Sequence, residues 1–331
     1  MTRKLLFPFL TILSLLLGAC VPTGPAPTET LAAASMPPTA APTPTQKATP
    51  VPAFPMTITD GTGREVTLEA APARIVSLSP SNTEILFAVG AGSLVVADTT
   101  YCDFPIEAQK LPKIGGFSAE SISIETILSL KPDLVLANGS GQEAVITALE
   151  QAKVKVVAVS AATFEDVYAN IEMIGKVTGH NAEAAGVLDN MKASVASVAQ
   201  KIASIPQDKR PTVFWEVWDE PLMTAGPGTF TGQMIEMAGG VNLFAELSED
   251  YPQVSAEEVI KRNPAFILGP DSHGDKLTVE QLAARPGWEQ IAAVKENKIF
   301  LIDGDTSSRP GPRLADALEA IAKSLYPDLF K

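Results

Sequence analysis

Cysteine, histidine and basic residues are scarce in this chain, and each shortage argues against a class of protein. The 331 residues include two cysteines and two histidines. A disulfide-stapled scaffold and a zinc site built from clustered Cys and His are therefore both disfavoured. Lys and Arg number 25 against 38 Asp and Glu, which gives a net charge of −13. This balance argues against nucleic acid as a partner, because phosphate binding needs a basic surface.

Motifs for catalysis and nucleotide binding are also missing. The segment 226–232, GPGTFTG, is rich in glycine but lacks the lysine of a phosphate-binding loop. Ser79 and Asp103 form no recognisable nucleophile arrangement with a nearby histidine. We therefore predict no enzyme, no catalytic residue, no resident metal and no cofactor.

Long hydrophobic runs are confined to the N-terminus, where the run is too short to span a bilayer. Arg3 and Lys4 precede the apolar stretch Leu5–Leu17. This pattern is typical of a signal peptide, which we assign to residues 1–19. The Leu-Gly-Ala-Cys sequence ending at Cys20 resembles a bacterial lipobox, which implies cleavage before Cys20 and lipid attached to it. An ordinary secretory signal with a chance cysteine is the alternative.

The segment that follows has almost no large apolar residues. Residues 20–54 are dominated by Pro, Thr and Ala, and such a composition cannot bury enough surface to offset its chain entropy. We predict a disordered tether that holds a soluble body to the membrane through lipid alone. Cys102, the second cysteine, is expected to be a small buried thiol.

One sequence pattern occurs twice. Residues 123–137 read SIETILSLKPDLVLA, and residues 255–269 read SAEEVIKRNPAFILG. Each copy predicts a short helix capped by serine, a proline that stops it, and a buried strand. The identical positions are Ser123 and Ser255, Glu125 and Glu257, Pro132 and Pro264, and Leu136 and Leu268. Two copies suggest two similar lobes, each with a glutamate at the same place.

Predicted strands and helices alternate on both sides of one long helix. Met56–Leu68 reads as a hairpin, and the strand–helix pattern that follows it predicts a mostly parallel sheet covered on both faces. Apolar residues at steps of three and four predict a helix over Asn181–Ile205, roughly 24 residues and about 36 Å long. We predict an α/β protein with two Rossmann-like lobes, 55–178 and 209–331, joined by a rigid helical segment, 179–208. A coiled-coil partner helix is the other interpretation of that segment.

Several separated motifs resemble those of one known family, in the same order. They are RIVSLSPSNTE at 74–84, LPKIGG at 111–116, LKPDLV at 130–135, PQVS at 252–255 and RPGW at 285–288. Together they resemble the helical-backbone, or class III, periplasmic binding proteins, the substrate-capturing components of ABC importers for cobalamin, haem and iron–siderophore chelates. Within that family, YCDFP at 101–105 and YPQVS at 251–255 look most like the cobalamin-binding branch.

The resemblance implies roles for particular residues. By motif, Glu125 and Glu257 match the two glutamates that dock onto the transporter, although a glutamate at a helix start also favours the helix dipole without any partner. Tyr101 and Tyr251 match pocket aromatics, Phe117 falls where the cobalamin branch tends to have tryptophan, and Asp305 and Arg309 match a polar loop of the cleft. Aromatic residues could instead be ordinary core, and the other candidates for stacking on a large flat ligand are Phe104, Trp215 and Trp218.

The sequence therefore predicts a monomeric lipoprotein that captures a corrinoid such as cobalamin and delivers it to an ABC permease dimer with its ATPase subunits. It would lie outside the cytoplasm, anchored to the cell membrane. An iron–siderophore or haem carrier of the same family is the alternative. An enzyme or a surface-interaction module on the same bilobed body is the alternative from another class.

Overall fold

The computed structural model describes residues 53–271 and 278–331. The predicted signal peptide, Cys20 and nearly all of the predicted tether lie outside the described residues. Within them, two mainly parallel sheets with accompanying helices are connected in the chain by one long helix. The predicted α/β class with two lobes is confirmed.

The N-lobe begins with the predicted hairpin and continues as a parallel sheet. Its strands are β1 (Met56–Thr59), β2 (Glu65–Leu68), β3 (Ile75–Ser77), β4 (Val95–Ala97), β5 (Leu134–Asn138) and β6 (Val156–Val159). Its helices are α1 (Pro80–Ala88), α2 (Ile124–Ser129), α3 (Glu143–Gln151) and α4 (Phe164–Thr178). The sheet has the order β4-β3-β5-β6, all parallel. The carboxyl ends of its strands therefore meet at one edge.

Helix α4 has a clear sequence signal at each end. Thr163 and Asp166 form a reciprocal capping box at its start, and Gly179 takes a left-handed conformation (φ 80°) at its end. Both are typical helix boundaries, because they satisfy backbone groups that the helix leaves unpaired.

The long connecting helix, α5, spans Asn181–Ile202 and ends three residues before the predicted Ile205. Ile205 precedes Pro206, and a residue before proline is disfavoured in helical conformation. The 22 residues extend about 33 Å. Met191 and Val198, seven residues apart, are buried on one face, and the helix packs against α4 as well as the last helix of the C-lobe.

The C-lobe repeats the strand–helix alternation with an antiparallel addition. Its strands are β7 (Thr212–Asp219), β8 (Leu222–Thr224), β9 (Val241–Asn242), β10 (Phe266–Pro270) and β11 (Ile299–Ile302). Its helices are α6 (Phe230–Met237), α7 (Ala256–Arg262), α8 (Val279–Ala283), α9 (Ala292–Lys295), α10 (Gly304–Ser308) and α11 (Leu314–Leu325). Strands β11, β10 and β7 are parallel, and β8 extends the far end of β7 antiparallel to it.

The repeated pattern has the same local structure in both lobes. Ser123 and Ser255 cap helices α2 and α7, each accepting a hydrogen bond from the backbone N–H three residues later. Both helices are followed by a residue in left-handed conformation, Lys131 after α2 and Asn263 after α7, each with φ 50°. The predicted serine cap, proline stop and buried strand are confirmed in each copy.

The hydrophobic core runs through the connecting helix from one lobe to the other. A single cluster joins Leu134 and Ile171 of the N-lobe, Met191 of α5, and Val213 and Ile321 of the C-lobe. Separate clusters fill the outer faces of the two sheets. Since the central cluster is continuous, the lobes and the connecting helix share one packed interior.

Candidate ligand-binding cleft

A cleft of about 780 Å³ lies between the lobes. On its N-lobe wall, Pro80 and Ser81 follow β3 and Asn138 ends β5. The remaining described lining residues are Tyr101, Phe117, Ser118 and Ser121 of the N-lobe and Ser308, Arg309 and Pro310 of the C-lobe. Ligands of open α/β sheets bind at the carboxyl ends of the strands, and small-molecule sites usually occupy about 300–1,000 Å³. The cleft therefore has the position and the size of a ligand site.

The cleft combines two aromatic faces with neutral polar groups. Tyr101 is 59 % exposed and Phe117 is 41 % exposed, so both offer ring surface to a bound molecule. Four serine hydroxyls and the Asn138 amide supply hydrogen-bond donors and acceptors without formal charge. Of the predicted ligand residues, Tyr101, Phe117 and Arg309 share this one cavity.

The loop that carries Tyr101 is fixed by a buried ion pair. Lys113 lies 2.7 Å from the Asp98 carboxylate, and its ammonium also donates to the carbonyls of Cys102 at 3.2 Å and Ala108 at 3.0 Å. Burial raises the pKa of Asp98 to about 6, although Lys113 opposes this rise. The second oxygen of Asp98, Oδ2, is buried and has no hydrogen-bond partner among the described residues. Cys102 is a buried free thiol, as predicted.

An ionic cluster crosses from the N-lobe to the C-lobe beside the cleft. Glu84 on α1 is 3 % exposed and accepts two hydrogen bonds from Arg313, at 2.8 and 2.6 Å. Arg309 donates to Glu84 at 3.1 Å and to Asp103 at 2.6 Å, and it pairs with Asp305 at 2.7 Å. The cluster therefore ties the first helix of the N-lobe to the end of the C-lobe.

The cluster controls the ionisation of its own members. Burial would raise the pKa of Asp103, but the hydrogen bond and charge of Arg309 outweigh it and hold that pKa below its ordinary value. Burial raises the pKa of Asp305, against the effect of Arg309 and with a further rise from the Asp103 charge. Burial would lower the pKa of Arg309, yet its bonds to Asp103 and Glu84 raise it above the ordinary value. Arg309 is therefore permanently charged.

Three members of this cluster were not predicted as site residues. Glu84, Asp103 and Arg313 join the predicted Asp305 and Arg309. A signal existed for Glu84, because it directly precedes the apolar end of α1, and a glutamate that such a helix buries needs a partner. That signal does not identify the partners, which lie more than 200 residues further along the chain.

Trp215 is a correction to the predicted ligand residues. It is 2 % exposed and belongs to the central core, so it offers no surface to a ligand. On β7 it lies opposite Leu268, where helices cover both faces of the sheet. Trp218 differs by three positions and lies near the exposed end of the same strand, 43 % exposed. The pairing of β7 with β8 is irregular between Glu216 and Trp218.

Trp218 and Tyr251 lie on one antiparallel extension of the C-lobe sheet. Trp218 pairs with Met223, which forms a bridge to Gln253, two residues after Tyr251. Tyr251 is 52 % exposed. Neither residue belongs to the described lining of the cleft, and their contact with a ligand stays a prediction.

The two predicted docking glutamates are exposed at equivalent places. Glu125 and Glu257 lie in the first turns of α2 and α7. Among the described residues neither forms an ion pair, whereas the adjacent Glu258 pairs with Arg262 at 2.9 Å. In a parallel strand–helix–strand unit the helix begins at the carboxyl edge of the sheet. We therefore infer that each glutamate lies toward the edge that forms the cleft.

The described part of the chain has neither a cluster of metal ligands nor a membrane-spanning helix. No group of three or more His, Cys, Asp or Glu side chains in residues 53–271 and 278–331 is arranged to hold a metal ion. Over the same residues, no helix combines the length and the apolar character needed to cross a bilayer.

Comparison with known proteins gives a family match over most of the folded body. A family model described as periplasmic binding protein matches residues 75–306. An uncharacterised ABC transporter substrate-binding lipoprotein of Bacillus subtilis, YvrC, is 37 % identical over 84 % of this chain and 88 % of its own length. A vitamin B12-binding protein of Pectobacterium carotovorum is 30 % identical over 77 % of this chain and 89 % of its own.

Two solved structures that resemble this chain are also periplasmic binding proteins. A possible iron-binding periplasmic solute-binding protein of Staphylococcus epidermidis superposes with a TM-score of 0.69 at 33 % identity, over 78 % of this chain and 100 % of its own. A periplasmic haem-binding protein of a Roseiflexus species, in its apo form, also has a TM-score of 0.69, at 27 % identity over 77 % of this chain and 98 % of its own. The names of these relatives therefore include more than one kind of ligand.

Proposed function

The chain belongs to the periplasmic binding protein family, and we propose that it captures a corrinoid, with cobalamin as the ligand, between its lobes and delivers it to an ABC importer. The observation that carries this proposal is the chemistry of the inter-lobe cleft. A corrinoid is a large flat ring with a periphery of amide groups. Two exposed rings, Tyr101 and Phe117, together with four serines and Asn138, suit such a ligand.

The proposal also concerns the cellular location of the protein. The apolar N-terminal run and the Leu-Gly-Ala-Cys sequence support export and a lipid anchor at Cys20. The Pro-, Thr- and Ala-rich segment after Cys20 would let the folded body reach a membrane transporter. The role is binding and delivery rather than catalysis, and the ATP would be hydrolysed by the partner subunits.

A binding experiment with alternative ligands tests the proposal. The purified protein is incubated with cyanocobalamin, desalted, and examined for the red absorbance of the corrinoid. We expect the protein to retain about one equivalent of cyanocobalamin. In parallel incubations, haem and a ferric hydroxamate chelate should not be retained. A colourless protein that instead retains haem or the ferric chelate would reassign the ligand. Retention of none of them would favour an enzyme or a surface-interaction module.

A matched pair of variants locates the ligand. Tyr101→Ala removes an aromatic face from the cleft, and loss of one stacking contact costs about 1 kcal/mol, or roughly a fivefold to tenfold loss of affinity. Ile106→Ala is the control, because Ile106 is also 59 % exposed and lies on the same loop outside the described lining. Equal loss of affinity in both variants would contradict binding in the cleft.

Docking on the permease is tested separately from ligand binding. Carboxylates on the two lobes would meet basic pockets on a dimeric permease. Replacing Glu125 and Glu257 together with alanine should weaken association with the permease at least tenfold and leave cobalamin affinity unchanged. The control replaces Glu143 and Glu280, which are also exposed in the first turns of helices. If the control variant lost association to the same extent, general charge rather than docking would explain the effect.

A further inference from the structure

Arg309 carries the one formal charge among the described residues that line the cleft, and its charge is already met within the protein. Its Nη1 group donates to Glu84 and Asp103. Its Nη2 group donates to the Tyr101 carbonyl at 3.3 Å and pairs with Asp305. A guanidinium recognises an anion by presenting two parallel N–H groups to it. Both terminal nitrogens of Arg309 are occupied by protein oxygens, so this side chain is not available for such a contact.

The ion-paired side chains around Arg309 have an excess of one negative charge. Three carboxylates, Glu84, Asp103 and Asp305, face two guanidinium groups, Arg309 and Arg313. Glu84 is almost fully buried, whereas the Asp103 side chain is 50 % exposed and that of Asp305 is 39 % exposed. The excess charge therefore lies at the accessible side of the cluster.

We infer that Glu84 and Asp103 determine which ligand charge the cleft accepts: by neutralising Arg309, they select a ligand with an uncharged periphery and disfavour one that carries an anionic group. This inference depends on the proposed function, since it takes the cleft as the ligand site. An anion near Arg309 would have to displace Asp103 or Asp305 and would meet the excess negative charge. An amide meets no such cost, because its N–H donates to a carboxylate oxygen and its carbonyl accepts from a serine hydroxyl.

The size of the effect follows from Coulomb interaction near a protein surface. One excess charge about 6 Å away, at an effective dielectric constant of about 40, corresponds to roughly a tenfold change in affinity. Cyanocobalamin and its monocarboxylates are suitable probes, because hydrolysis of one peripheral amide adds a negative charge with little change of shape. We expect the protein to bind cyanocobalamin about tenfold more tightly than the monocarboxylates. Added salt should narrow this gap by screening the repulsion.

Two variants that keep the side-chain shape test the residues named. Asp103→Asn and Glu84→Gln should each reduce the gap between the two probes to about threefold or less. The salt dependence of the gap should shrink in parallel, which loss of structure alone would not produce. Glu172→Gln is the control, because Glu172 is exposed on α4 outside the cleft lining and loses the same charge. The control should keep the full gap.

The possible outcomes separate the two proposals. Equal affinity of the unmodified protein for both probes, or an unchanged gap in Asp103→Asn, would overturn the charge selection while leaving corrinoid capture intact. Failure to bind either probe would overturn the proposed function and this inference with it. Should Glu84→Gln fail to fold, Asp103→Asn still decides the question, because the Asp103 side chain is half-exposed and asparagine keeps an oxygen that can accept from Arg309.

Discussion

Asp98 links the stability of this protein to pH. Its side chain is fully buried, its pKa is raised to about 6 from an ordinary 3.8, and one carboxylate oxygen has no partner among the described residues. An acid whose pKa is higher in the folded state binds more protons when folded. Its contribution to stability is therefore fully present below about pH 4 and is lost as pH rises through about 6.

The substitution Asp98→Asn isolates this contribution, because asparagine keeps an oxygen for Lys113 but does not titrate. The two pKa values differ by roughly two units, and one unit corresponds to about 1.4 kcal/mol. Between pH 4 and pH 7 the unmodified protein should lose about 2.5 kcal/mol of unfolding free energy relative to the variant, most of the full difference between the two pKa values. The unfolding free energy of the variant should therefore increase relative to that of the unmodified protein as pH rises.

Urea unfolding followed by tryptophan fluorescence measures this difference at half-unit steps of pH. The difference between the two unfolding free energies should change steadily from about pH 4 and level off above about pH 6. Other ionisable groups cancel in the comparison, because they are common to both proteins. If the two curves of stability against pH ran parallel across this range, the reasoning about Asp98 would be refuted.

The remaining predictions concern the packing of the C-lobe, the connecting helix and motion between lobes. Glu216→Gln should cost about 3 kcal/mol in urea unfolding, since it breaks a buried two-bond pair with Arg285 at 2.5 and 2.8 Å. Gly226→Ala should cost about 2 kcal/mol or more in the same assay, because its Cβ would collide with the Glu249 carbonyl. Gly186→Ala should instead raise the melting temperature by gaining up to about 1 kcal/mol, because no atom lies within 4 Å of its Cβ in α5. Small-angle scattering curves with and without ligand should nearly superimpose, and a clear change in radius of gyration would contradict a rigid frame.

Local sequence signals were sufficient for most of the framework. The serine caps and proline stops of the repeat, the turn of the first hairpin and the apolar stripe of α5 depend on neighbours along the chain. The structure shows all of them, with shifts of a few residues at element ends. Resemblance to a family added Tyr101, Phe117 and Arg309, which the fold brings into one cavity.

The structural features that could not be predicted from the sequence depend on contacts between segments that are distant in the chain. Glu84 and Arg313 are far apart in the chain, and pairing them requires the relative position of the lobes. The two tryptophans of β7 show the same limit. A regular strand would place Trp215 and Trp218 on opposite faces, but β7 is irregular between Glu216 and Trp218. Which of the two rings is buried depends on where the helical cover of the sheet ends.

The same long-range contacts explain why the cleft should be preformed. Moving the lobes apart would separate Glu84 from Arg309 and Arg313, and breaking a buried ion pair costs about 3–5 kcal/mol because it leaves an uncompensated charge. It would also disturb a core that continues through α5 into both lobes. Ligand contacts would have to supply that energy if binding required a large change of shape. A frame held in this way instead leaves the energy of ligand contact available for affinity. It also keeps Glu125 and Glu257 at a fixed separation, which the proposed docking on a dimeric permease would require.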